Sequence, residues 1–131
     1  MQKLTRIIMN GKTYPIKMDL NVLEMIQEKY GTINEFERDL LGLEFTTDDD
    51  GNQMYDKDGK PLMYVREVSV KAIKTALPAM INEGLSIEAE ETRKEFEPVE
   101  DAFVFRNCNI SFEVLGKIIH EEFRRCFEVK K

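Results

Sequence analysis

Carboxylates dominate the residues of this chain that could do chemistry. From Thr46 to Pro61 the sequence reads TTDDDGNQMYDKDGKP, a run of aspartates and glycines with the look of a calcium-binding loop. Such a loop needs oxygen ligands at its first, third and fifth positions, glycine at the sixth and a bidentate glutamate at the twelfth. With Gly51 as the sixth residue, Asp48 and Asp50 fit, but the first is Thr46 and the twelfth is Lys57. With Gly59 there instead, Asp56 and Asp58 fit, but the first is Met54 and the twelfth is Val65. Neither register supplies the glutamate. The segment is therefore expected to form two solvated turns or a hairpin arm, without metal.

The other chemical residues are sparse. His120 is the only histidine, and it borders an apolar helical face. A zinc site would need further ligands, and His120 with Cys126 has no recognised spacing. Cys126 falls in an apolar stripe and suits a small core residue; Cys108 sits near a turn. Two cysteines make no disulfide framework. The run EAEETRKEFEPVED reads as a solvated face with helical ion pairs such as Glu90 with Lys94. No phosphate-binding glycine loop and no nucleophile elbow is present. The expectation is a protein that is not an enzyme and takes no cofactor.

Composition sets the frame for these residues. At 131 residues the chain is expected to be one domain, 1–131, long enough to bury a core. A net charge of −6 argues against broad phosphate-backbone binding, so nucleic acid is not an expected partner. No secretory leader is read, and no apolar run reaches the roughly 18 residues of a membrane span. A cytoplasmic location is expected.

The elements that must position the side chains follow from periodicity. LTRIIMNGKTYPIKM reads as a β-hairpin turning at Asn10-Gly11, pairing Met9 with Lys12 and Ile7 with Tyr14. Pro15 makes the second strand an edge. A helix follows with Leu20, Leu23, Ile26 and Tyr30 on one stripe, Asp19 or Asn21 as cap and Gly31 as stop. A second, capped at Thr32, carries Ile33, Phe36, Leu40 and Leu41 and ends at Gly42. Residues 43–64 form a mobile Asp/Gly-rich arm or loop with few apolar anchors. A third helix begins near Ser69, kinks or breaks near Leu77 before Pro78, and stops at Gly84. LSIEAEETRKEFEP suggests a short exposed helix capped by Ser86, and VEDAFVFRNCN fits a strand or a helical turn. The last helix places Phe112, Leu115, Ile119, Phe123, Cys126 and Phe127 on one face. Gly116 inside that stripe signals close approach by another element, of this chain or of a partner. The fold class is α+β, mainly α-helical: an N-terminal β-hairpin followed by four to five helices.

Three stretches carry a resemblance: YPIKMDLNVLEMIQEKYGTINEFE, KPLMYVREVSVKAIKTALPAMINEGLSIEAE and the closing apolar helix. In this order the chain resembles small proteins from the tail-gene clusters of phages and prophages of Gram-positive bacteria, the tail assembly chaperones, over roughly residues 10 to 95. The resemblance implies a helical, non-enzymatic bacterial protein. It would bind the tape measure protein and aid its assembly with tail tube subunits, in the host cytoplasm, and a homo-oligomer is compatible with it. Apolar grooves that hold an amphipathic helix would suit such a role. Partner-binding candidates on the last helix are Phe112, Leu115, Ile119, Phe123 and Phe127. The alternatives are a structural or adaptor subunit retained in the tail, and a small regulatory protein of a mobile element.

Overall fold

The computed structural model describes residues 3–128. It holds five helices and two antiparallel strand pairs, an α+β fold that is mainly helical. Strands β1 (Thr5–Met9) and β2 (Lys12–Ile16) form the expected hairpin, with Met9 opposite Lys12 and Ile7 opposite Tyr14. Asn10 and Gly11 both take positive φ, at 50° and 81°, as the tight two-residue turn requires. Ile7, Met9, Tyr14 and Ile16 are buried.

Helix α1 (Leu20–Tyr30) starts on Asp19, whose side chain accepts from the Val22 N–H, and stops at Gly31. Helix α2 (Ile33–Leu41) starts on Thr32, which accepts from the Glu35 N–H, and ends at Gly42 in the left-handed region. Val22, Leu23, Ile26 and Tyr30 form the buried stripe of α1. Leu20, expected in that stripe, is 82% exposed: it is the first helical residue, where the helix has yet to meet its neighbours. Leu41 is likewise exposed while Leu40 is buried.

Helix α3 (Val70–Thr92), capped by Ser69, departs most from expectation. It runs unbroken through Pro78 and continues past Gly84. An interior proline costs about 3 kcal/mol, but Ile73, Leu77, Met80 and Ile81 around it are all buried. Each such side chain contributes about 1.5–3 kcal/mol, so packing outweighs the lost hydrogen bond. The separate helix expected at Ser86 is the second half of α3. Its end at Thr92 leaves Lys94 outside the helix, so the expected helical spacing of Glu90 to Lys94 is not realised.

Gly84 does not stop the helix; it admits β2. A Cβ there would lie 2.6 Å from the Pro15 carbonyl oxygen. One turn earlier the Met80 carbonyl accepts from the Lys17 N–H at 3.0 Å. Beyond α3, Asn82 clamps the returning chain, accepting from the Val99 N–H at 2.8 Å and donating to the Val99 carbonyl at 3.0 Å. Helices α4 (Asp101–Asn107) and α5 (Phe112–Arg125) follow, α5 capped by Ser111. The ambiguous VEDAFVFRNCN is thus helical, with Val104 in the core. No helix among the described residues is long and apolar enough to cross a membrane.

Gly84→Ala should destabilise the fold by about 1–3 kcal/mol through overpacking, although alanine favours an isolated helix; urea unfolding measures it. A second test concerns Glu83, which accepts from the Asn21 side-chain amide at 2.8 Å. A hydrogen bond with Asp19, and then burial, hold the Glu83 carboxyl above the usual range. A raised folded pKa means that this contribution is complete below the unfolded value and is lost as pH rises through the folded one. Glu83→Gln should therefore raise the melting temperature by roughly 1–3 °C at pH 7 and give no gain near pH 4.

Candidate functional site: a groove beside the last helix

The chain that leaves the arm at residues 43–64, from Val65 to Val68, builds one wall of the site. Strand β3 (Leu43–Phe45) pairs with β4 (Met63–Val65), Leu43 opposite Val65 and Phe45 opposite Met63. Alternation puts those four residues on one face. On the other face Glu44 accepts from Tyr64 Oη at 2.8 Å and from Arg66 at 2.7 Å; the Arg66 guanidinium holds the Glu44 carboxyl below its usual range. The pair is thus amphipathic, polar on one side and apolar on the other.

The remainder of the arm closes on itself. Thr46 N–H donates to the Leu62 carbonyl (2.8 Å), Met54 N–H to Thr46 (2.9 Å) and Leu62 N–H to Met54 (2.9 Å). Three chain segments, each following the last by the same spacing, complete a ring. The two aspartate turns connect them. Asp48 Oδ1 accepts from the N–H groups of Asp50 and Asn52, and Asp56 Oδ1 from those of Asp58 and Lys60. These carboxylates act on backbone amides, as aspartates do in turns. Among the described residues no three or more metal-ligating side chains group together.

The arm joins the body where α2 ends. Arg66 N–H donates to the Gly42 carbonyl at 2.6 Å, and Ser69 N–H to the Asp39 carbonyl at 3.0 Å. Between them Val68 lies against α5. A Cβ at Gly116 would come within 3.0 Å of Val68 Cγ2 and 3.5 Å of the Leu40 carbonyl oxygen. The close approach signalled by Gly116 is therefore made by this chain's own linker.

A groove of about 720 Å³ opens above this contact, lined by Leu41, Val65, Val68, Phe112, Gly116 and His120 among others. Val65 is 73% exposed and Phe112 54%. A hollow of about 530 Å³ continues toward the far end of α5, bordered by Ile33, Phe123 and Phe127. His120 Nε2 and Glu37 Oε2, 3.0 Å apart, bridge α5 to α2 between the two. The His120 ring stacks on Phe123 with centroids 6.1 Å apart. His120 thus packs at the boundary of the apolar face.

The five candidates on α5 divide into two sets. Leu115, Ile119 and Phe123 are buried in the core. Phe112, placed by periodicity on the same apolar face, is exposed at the first residue of the helix. Phe127 is 57% exposed, its ring edge-on to Phe123 at 5.2 Å. Cys126 is half-buried and donates from Sγ to the Met18 carbonyl at 2.9 Å; burial pushes its thiol up. Cys126 and Cys108 are free thiols. Sequence reasoning missed Val65 and Leu41 as groove residues: LEF and MYV alternate, but each strand is only three residues long.

Comparison with family models, with curated proteins and with solved structures finds no match for this chain.

The division predicts different costs. Phe123→Ala should destabilise by about 3–5 kcal/mol, the range for a buried phenylalanine. Phe112→Ala should stay within about 0.5 kcal/mol, as for other surface substitutions. Thermal melts of the two variants measure the difference.

Proposed function

We propose that this chain is a non-enzymatic binding protein that acts as a phage tail assembly chaperone, holding an amphipathic helix of its partner in the groove beside α5. The supporting observation is the groove itself: exposed Val65, Leu41 and Phe112 surround a floor made by Val68 on Gly116. Large exposed side chains rimming a concavity on a rigid base are the usual form of a helix-binding site. The rim carries both signs of charge, with Arg66, Lys117 and Arg124 beside Glu67, Glu113 and Glu121. An amphipathic helix with mixed charge flanking its apolar stripe matches that rim. The tape measure protein is the proposed source of the helix, with tail tube subunits as the assembly partners. That identification rests on the resemblance of residues 10 to 95 to tail assembly chaperones. The work would take place in the host cytoplasm.

Co-expression with phage tape measure and tail tube proteins tests the reading. Wild type should co-purify with the tape measure protein. Phe112→Asp and Val65→Asp should each weaken capture at least about tenfold, equivalent to about 1.4 kcal/mol, with unchanged melting. Capture unaffected by either variant would remove the groove from the interface. Recovery of the chain in finished tails would favour a retained subunit over a chaperone.

A further inference from the structure

We propose that the outer edge of β1 is a pairing edge at which two copies of this chain join, antiparallel about Ile7, into one four-stranded sheet. The inference stands apart from the groove and rests on backbone geometry. Residues facing one another across an antiparallel pair alternate between exchanging two hydrogen bonds and exchanging none. Arg6 lies opposite Pro15, which has no N–H to give. Arg6 and Ile8 therefore occupy the non-exchanging positions, and their N–H and C=O groups point away from β2.

The end of β2 and the outer part of the arm are closed. On β2, the Pro15 carbonyl abuts Gly84 and Lys17 bonds to Met80. In the arm, each of the three segments pairs with the other two. Natural sheets guard a free edge with proline, a bulge or a charged side chain. β1 has no proline, its one charge, Arg6, is paired with Glu88 of the same copy, and Ile8 is 63% exposed. The open stretch is short and bounded: Asn10 N–H is taken by Asn109 Oδ1, and Thr5 Oγ1 by Arg125.

A second copy fits these limits. With Arg6 of one copy opposite Ile8 of the other, the four outward groups of each strand meet the four of its mate, with no residue beyond the open stretch required. The two-fold axis passes through Ile7, as an isologous contact demands. Each copy brings an ion pair, Arg6 with Glu88, so the edges meet without like charges opposed although the chain is acidic. Ile8 packs on the aliphatic stem of the facing Arg6. So small a contact lies below the roughly 1,000 Å² of a stable interface, and the pair forms reversibly with concentration.

Sedimentation velocity across a concentration series, with amide hydrogen exchange at its two ends, tests the proposal. The mass should rise toward twice the monomer value, and exchange at Arg6 and Ile8 should slow about tenfold at the high end. Ile8→Pro removes an N–H that β2 does not use, so it should leave the circular dichroism spectrum unchanged and keep the protein monomeric. A monomer at every concentration, a dimer indifferent to Ile8→Pro, or exchange at Arg6 and Ile8 independent of concentration would each overturn the proposal. The exchange measurement on wild type decides the matter even where the proline variant fails to fold.

Discussion

The rest of the structure depends on the close approach of α3 to β2 at Gly84. The Pro15 carbonyl sits where a side chain would otherwise be, and the Met80 to Lys17 hydrogen bond fixes the distance one turn earlier. This contact turns a two-stranded hairpin, marginal in isolation, into a lid on the helical core. Ile16 and Tyr14 then join Met80 and Ile81 in the same buried cluster. The contact also settles the length of α3. A helix held at Gly84 has no reason to stop there, and it runs on to Thr92 before the chain returns and Asn82 clasps Val99.

The local signals in the sequence were readable where they acted locally. Asn10-Gly11 named the hairpin and its register. Asp19, Thr32 and Ser69 marked helix starts, and Gly31 and Gly42 marked stops. The errors fall where a residue's local meaning was overridden by packing. Pro78 reads as a break and Gly84 as an end, yet both lie inside one helix, because the burial around them exceeds their propensity cost. Leu20 and Phe112 share a different error. Periodicity places a residue on a face but does not say how far along the helix that face is covered, and both are first residues. For the candidate site, Leu115, Ile119 and Phe123 were legible as an apolar stripe. The opposing wall was not, since strands of three residues are too short for alternation to stand out beside the aspartate turns.

The groove joins parts that are distant in sequence. Val65 lies where the arm rejoins the body, Leu41 at the end of α2 and Phe112 at the start of α5, and they share one concavity because Val68 can settle on a glycine. A Cβ at position 116 would press on the Val68 side chain at 3.0 Å, and Val68 would have to give way by a few tenths of an ångström. The geometry of the wall is thus set by a residue that presents no side chain to a partner. His120 works similarly from the other side: its bond to Glu37 and its stacking on Phe123 tie α5 to α2 at the boundary between groove and hollow.

The arm has one further property, which follows from where its ends lie. Gly42 and Arg66 are hydrogen-bonded to one another, so the chain leaves the body and re-enters it at nearly the same place. The segment between them completes its own ring of backbone bonds. A piece of chain whose entrance and exit coincide is topologically an insertion, and the helical body is continuous without it. Lengthening, shortening or exchanging such a piece changes the surface beside the groove while leaving the route of the remaining chain untouched. The arm is therefore the place where this architecture can vary most independently of its folding.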